Sequence, residues 1–303
     1  MNATGQAMER MLVIDDNRPY VESLHRDAQR YGITLAHAGS LEEGREIMER
    51  RDGWSLTGVV LDVKCLKERS QQVPDSSFLT AAVRYFSEKA PNLPMVVLTG
   101  EPDQFRSLSE LYAGTLRVFS KGRDEAEMLA FLKEEAGKLD YVRVAGAYPE
   151  AFAAVRNHLG SDAEQELFNC LRDMASGEPA TIKNTLGCLR RLQERIYIAL
   201  SRADEKLLPS QYVAGEINLV GCYKHLVEKG VVERYRIIDR FTELIYKITS
   251  DSGAHTPYAD PKYPPTSYTV RAVVFALLDL ILWFDGIMDE INQTGHGSIL
   301  PLR

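Results

Sequence analysis

The first 139 residues hold five short apolar runs set between amphipathic stretches, and four of those runs stop abruptly at a polar side chain. Met11–Ile14 ends at Asp15-Asp16, Gly58–Leu61 at Asp62, Met95–Leu98 at Thr99-Gly100, and Leu116–Phe119 at Ser120-Lys121. Ile33–Ala36 is the fifth run. Between them, Val21, Leu24, Ala28 and Tyr31 recur at helical spacing within Arg18–Tyr31. Ser40 with Glu43 forms a capping box for a helix to about Arg51. Phe78–Ala90, Asp103–Ala113 and Asp124–Leu139 complete the helical stretches. Strands that are apolar throughout and alternate with helices predict an α/β doubly wound, five-stranded parallel sheet covered on both faces. In such a sheet the strand C-termini line one crevice, where ligands bind. Asp15, Asp16, Asp62, Thr99 and Lys121 are therefore expected at one site.

Three carboxylates in one crevice suit a small hard cation such as Mg²⁺, which prefers oxygen ligands and keeps several waters. A cation there would lead a phosphodonor to a carboxylate and screen two anions from each other. Lys121 would meet a phosphoryl oxygen as a point charge. The Thr99 hydroxyl would donate to another oxygen, and Gly100 would allow close backbone approach.

The motifs LVIDD, VVLD, VVLTG and VFSK, in this order over about residues 8–139, resemble the strand-end motifs of the response-regulator receiver family. The resemblance implies a flavodoxin-like receiver fold with Asp62 as phosphoacceptor and Asp15, Asp16 and Asp62 as metal ligands. It also implies that the Lys64 backbone carbonyl completes the metal site, with Thr99 as switch hydroxyl and Lys121 as phosphoryl contact. A histidine kinase or phosphotransfer protein is the implied partner, and self-dephosphorylation the implied reaction; no enzyme activity on another substrate is expected. A pseudo-receiver that keeps these residues unphosphorylated is the alternative, and the presence of all five disfavours it. The chain departs from the family in three places. Gly122 stands where proline is usual, which removes the usual site of a cis peptide. Val118 stands where an aromatic switch residue is common, and its neighbour Phe119 points to the opposite face of the strand. Leu66–Asp75 lengthens the segment between Asp62 and Thr99, and it reads as a solvated insertion or a kinase contact.

Charge excludes one class of partner. The net charge is −7. Residues 1–140 hold 18 basic and 23 acidic side chains, and residues 141–303 hold 18 and 20. Neither part has the basic excess of a nonspecific nucleic-acid binder. Cys65, Cys170, Cys188 and Cys222 form no C-x-x-C pair, so reduced thiols are expected. The start of the chain does not read as a secretory signal, and Ala272–Phe284 is too short and too polar at Asp279 to span a membrane. A cytoplasmic location with no membrane contact follows as an expectation.

Residues 1–140 are read as the receiver and residues 141–303 as an all-α helical output domain. Helical spacing covers Tyr148–Leu159, Ala163–Ala175, Thr181–Ser201, Tyr212–Lys229, Val231–Ser250 and Tyr268–Asn292, with a proline-rich loop at Tyr258–Pro265 and a loose tail from Thr294. Tyr268, Phe275, Trp283 and Phe284 are expected in the core or at a helix contact, and Thr181–Ser201 and Val270–Ile291 could form a homodimer seam. No phosphate loop is present. The nearest helix-turn-helix candidate, Gln211–Val232, lacks a basic recognition helix. The run Thr185–Leu200, a polar GAH loop and a long apolar helix together resemble HEPN-type helical domains. The arginine–histidine spacing of that family's ribonucleases is missing, which implies binding more than cutting. Arg190, Arg191, Glu194 and His255 are the polar residues singled out, against a solvated face with intrahelical pairs such as Arg190–Glu194. A His255 metal site with Asp251 and Asp260 reads less well than a polar loop. The output is expected to mediate self-association or to bind a protein, with RNA binding or cleavage as the alternative and DNA binding as the third.

Overall fold

The computed structural model describes residues 9–100, 107–108, 110–112, 116–250 and 263–294. The chain divides into two compact units, Met1–Ala147 and Tyr148–Arg303. That division lies seven residues beyond the sequence-based position. The reason is a short helix, Asp140–Ala147, whose Tyr141 packs edge-on against Trp54 with ring centroids 4.9 Å apart.

The first unit contains β1 (Glu9–Ile14), α1 (Arg18–Arg30), β2 (Ile33–Ala38), α2 (Leu41–Glu49), β3 (Leu56–Leu61), α3 (Phe78–Lys89), β4 (Met95–Thr99), β5 (Arg117–Ser120), α4 (Glu125–Ala136) and α5 (Asp140–Ala147). The expected helix over Asp103–Ala113 falls largely outside the described residues. The strands pair in the order β2-β1-β3-β4-β5, and every pairing is parallel. This is the doubly wound flavodoxin-like order, with the switch point beside β1. Every residue of β3 is buried, as two covered faces demand. Met11, Val13, Val60, Val96, Leu98 and Phe119 pack with residues of α1 and α4. Leu12, Ile14, Leu61 and Val97 face the other way, among residues of α2 and α3. Phe119 and Val118 lie on opposite faces of β5, as strand alternation requires.

Helix α1 begins where Asn17 accepts a hydrogen bond from the Tyr20 N–H, with Pro19 in the first turn. Helix α2 is capped reciprocally: Ser40 accepts from the Glu43 N–H, and Glu43 accepts from the Gly39 N–H. The inserted segment after β3 is held to α2. Arg69 reaches Glu43 and Glu46 at 2.9 and 2.6 Å, and its N–H donates to Glu42.

The second unit contains α6 (Pro149–His158), α7 (Ser161–Asp173), α8 (Pro179–Ala203), α9 (Leu219–Glu228), α10 (Ile237–Thr249) and α11 (Ser267–Thr294), with no strand among its described residues. Helix α8 is the spine, packing against α7, α9, α10 and α11. Its Leu186, Leu189, Leu192, Ile196 and Leu200 are fully buried, which is the stripe read from the sequence. Two helices start later than expected. Residues 212–218 turn through Gly215 at φ 69° before Asn218 caps α9. Residues 231–236 pass through Tyr235 at φ 66° before α10. Left-handed backbone at these positions interrupts a helix whatever the apolar spacing. The expected aromatic stripe divides. Phe284 is fully buried, whereas Tyr268 and Phe275 are exposed, in line with Leu282 seven residues further on. Seven residues make about two helical turns, so 268, 275 and 282 share one face and 284 lies on another. Among the described residues no helix is long and apolar enough to cross a membrane.

Candidate functional site

The crevice lies beyond the C-terminal ends of β1, β3, β4 and β5. Asp15 is almost fully buried, Asp16 is exposed and Asp62 lies between these extremes. One carboxylate oxygen from each falls within 4.8 Å of the others. The backbone enforces this convergence: the Asp62 N–H donates to the Ile14 carbonyl at 3.0 Å, and the Asp15 N–H donates to the Ala38 carbonyl at 3.0 Å. Three hard oxygen donors at this separation fit a small divalent cation such as Mg²⁺. Lys64 follows on the same loop, and its side chain is exposed.

Lys121 extends from the end of β5 into the cluster. Its Nζ lies 2.7 Å from Asp15 Oδ2 and 2.8 Å from Asp62 Oδ2. The other oxygens of both carboxylates are also engaged, Asp15 Oδ1 by the Asn17 N–H at 2.8 Å and Asp62 Oδ1 by the Val63 N–H at 2.7 Å. Burial, and then the charge on Asp15, push the Asp62 carboxyl up to about 6, and Lys121 only partly opposes them. For Lys121, burial acts to lower the pKa, but Asp62 and Asp15 outweigh it and raise the value. Thr99 is buried at the end of β4, and its carbonyl accepts from the Lys121 N–H at 2.7 Å, tying the ends of β4 and β5 together. A Cβ on Gly100 would stand 3.6 Å from Lys121 Cδ, an ordinary contact.

Gly122 takes the turn in a different way from a cis proline. Among the described residues no cis peptide occurs, and Gly122 adopts φ 77°. Its N–H donates to Glu125 Oε1, which a proline could not do. Nothing lies within 4 Å of a Cβ placed there, so any cost of a side chain is backbone strain alone. Gly122→Ala is expected to lower the unfolding free energy by about 1–2 kcal/mol, and Gly122→Pro by more. Urea unfolding measures both, and an unchanged midpoint for Gly122→Ala would remove this account of the turn.

Several residues at the site carry no motif signal. Lys121 Nζ sits 5.0 Å from the Tyr20 ring centroid, a cation–π distance, and the Tyr20 hydroxyl donates to Glu125 Oε1 at 2.8 Å. A His37 ring nitrogen bonds the Asp15 carbonyl at 2.8 Å, so that nitrogen carries the proton. Asn17 was open to discovery as the cap before Arg18-Pro19, but Tyr20 and His37 reach the site only through the fold.

Of the residues singled out in the helical unit, the two neighbouring arginines serve different partners. Arg190 pairs with Glu194 at 3.0 Å and donates to Ser250 at 2.9 Å. Arg191 instead pairs with Glu166 at 2.6 Å and donates to Cys188. Adjacent helical residues point about 100° apart, which separates the two arginines. His255, with Asp251 and Asp260, lies outside the described residues.

No family model matches the chain, and no curated protein matches it. Among solved structures the chain is similar to a response regulator receiver domain protein (CheY-like) from Methanospirillum hungatei JF-1. The identity is 18%, covering 44% of this chain and 96% of that one, with a TM-score of 0.34.

Proposed function

We propose that the chain is a two-component response regulator, phosphorylated on Asp62 by a histidine kinase or phosphotransfer protein, whose helical unit changes its association with the phosphorylation state. The supporting observation is the convergence of Asp15, Asp16 and Asp62 on one point, with Lys121 bridging two of them. Phosphoryl transfer depends on positioning and charge stabilisation more than on covalent chemistry, and this cluster offers both. In the reaction an Asp62 oxygen forms a bond to phosphorus while the bond from phosphorus to the donor's leaving group breaks. The Val63 N–H holds one Asp62 oxygen in place, and Lys121 is poised to follow the phosphoryl oxygens. Asp15, Asp16 and Asp62 would hold Mg²⁺, with the Lys64 carbonyl as a further ligand. Bound there, the ion neutralises charge between the donor and the acceptor. The Thr99 hydroxyl donates to the phosphorylated aspartate, and water later reverses the modification. No reaction on a second substrate is assigned.

The helical unit supports self-association through α11. Tyr268, Phe275 and Leu282 are exposed in one line along that helix, an apolar face that a second copy would cover. Sedimentation of the full chain with Mg²⁺, with and without beryllofluoride, tests this reading. A mass increase in the wild type that is absent from Asp62→Asn and from Phe275→Glu is the expected result. An unchanged monomer under all conditions would defeat the assembly switch. A shift of RNA, or of duplex DNA, that depends on beryllofluoride would replace it with a gated nucleic-acid effector.

A further inference from the structure

Two thiols meet where α7 packs on α8. Cys170, on α7, is fully buried, and its Sγ lies 3.9 Å from the Thr185 carbonyl oxygen of α8. Cys188 follows Thr185 by one turn on the same face of α8. The two cysteine side chains are hydrogen-bonded to each other, and both are free thiols. Cys188 is partly exposed, and its Sγ accepts from the Arg191 guanidinium at 3.0 Å. Glu166, one turn before Cys170 on α7, holds that guanidinium at 2.6 Å and Arg195 at 3.2 Å. The pair has no motif spacing in the chain, and the packing of two helices alone brings it together.

The surroundings give the two sulfurs different roles. A thiol ionises more readily where donors and cations face it, and less readily in an apolar interior. The hydrogen bond from Cys170 lowers the Cys188 pKa below its ordinary value; burial opposes it less strongly, and the Arg191 charge outweighs that of Glu166. Cys170 behaves in the opposite way. Complete burial, and then its contact with Cys188, keep its proton on. One sulfur is thus an accessible nucleophile, and the other is a protonated thiol in contact with it. Cys65 and Cys222 have no such setting. Each donates to a backbone carbonyl, that of Gly39 at 3.4 Å and that of Tyr212 at 3.8 Å, and burial pushes each up to about 12.

We propose that Cys188 reacts with a hydroperoxide and is then joined to Cys170 in a reversible disulfide, so that the helical unit senses an oxidant. The Cys188 thiolate attacks one peroxide oxygen. An S–O bond forms, the O–O bond breaks, and the departing oxygen takes up a proton to leave as an alcohol or water. Cys188 is now a sulfenic acid. The Cys170 sulfur attacks the Cys188 sulfur, the S–O bond breaks, and hydroxide leaves with the Cys170 proton as water. Both cysteines are oxidised and the peroxide is reduced. The new S–S bond, about 2.05 Å long, ties α7 to α8, the helix on which α9, α10 and α11 also pack. The helical unit then has an input of its own, which does not use Asp62.

Treating the reduced full chain with hydrogen peroxide at pH 7, then alkylating it under denaturing conditions, tests this by mass spectrometry. Cys170 and Cys188 should become protected together, in peptides joined by a disulfide that dithiothreitol reverses, while Cys65 and Cys222 remain alkylated. Cys188→Ala should leave every remaining thiol alkylated. Cys170→Ala should leave Cys188 as a sulfenic acid that dimedone captures. Because Cys170 is buried, that variant can fail to fold, so Arg191→Met, at a half-exposed residue, carries the test independently. Without the Arg191 charge the disulfide should form about tenfold more slowly at pH 7, the effect of one pKa unit on the thiolate fraction. The deficit should close towards about pH 10, where the thiol ionises unaided. A wild type whose cysteines all remain alkylated, or all oxidise at similar rates, would overturn the proposal. So would an unchanged rate in Arg191→Met, or a disulfide that persists in Cys188→Ala. A disulfide between the Cys188 residues of two chains would also overturn it, because Cys170 would then have no part in the reaction.

Discussion

Asp62→Asn is expected to abolish the mass gain of the intact protein on incubation with acetyl phosphate and Mg²⁺. The substitution keeps the shape of the side chain and removes the nucleophilic oxygen that transfer needs. Asp15 is a poor substitute. Its side chain is 3% exposed against 14% for Asp62, so an incoming phosphodonor reaches it less readily. Asp16 is exposed, and among the described residues no lysine ion pair holds it in the cluster. Modification of Asp62→Asn at wild-type yield would show that another residue accepts the phosphoryl group. Loss of modification in wild type and variant alike would point to the pseudo-receiver reading.

The same substitution is expected to stabilise the metal-free protein at neutral pH. Asp62 titrates at about 6 in the folded chain, against an ordinary value of 3.8, because of burial and then the nearby Asp15 charge. A carboxyl raised in this way binds its proton more tightly in the folded state than in the unfolded one. The folded state therefore loses stability as pH rises from about 4 to about 6, and the loss is complete above that window. The difference corresponds to up to about 3 kcal/mol at pH 7.5. Asparagine carries no charge to pay for. In EDTA, urea unfolding should show Asp62→Asn more stable than wild type at pH 7.5, with the gap closing towards pH 4. A gap of the same size at pH 4, or none at pH 7.5, would contradict the electrostatic origin. Mg²⁺ should narrow the gap from the other side, since a ligand of the folded state stabilises it by mass action. The crevice thus trades stability for ionised carboxylates held close together.

The legible part of the first unit has a definite physical basis. Each strand is a short apolar run because both sheet faces are covered, and a strand must end where its polar residue reaches the crevice. That rule puts Asp15, Asp62, Thr99 and Lys121 at the strand ends, where the structure has them. The helical half offered less. The periodicity of Leu186, Leu189, Leu192, Ile196 and Leu200 marked the buried face of α8 correctly. The same spacing could not show that Gly215 and Tyr235 take left-handed backbone and delay α9 and α10. Nor could it separate Phe284, fully buried, from Phe275, 46% exposed on the same helix. Both sit in one apolar run, and only the neighbouring helices decide which face is covered.

The sequence by itself determined the fold class of the first unit and which carboxylates meet at its strand ends, because strand length and strand-end polarity are local properties that topology turns into one crevice. Only the tertiary structure decided that Lys121 bridges Asp15 and Asp62 above the Tyr20 ring, and that Arg190 and Arg191 serve different neighbours. Those facts depend on contacts between residues far apart in the chain, whose distances are set by packing and leave no periodic trace in the sequence.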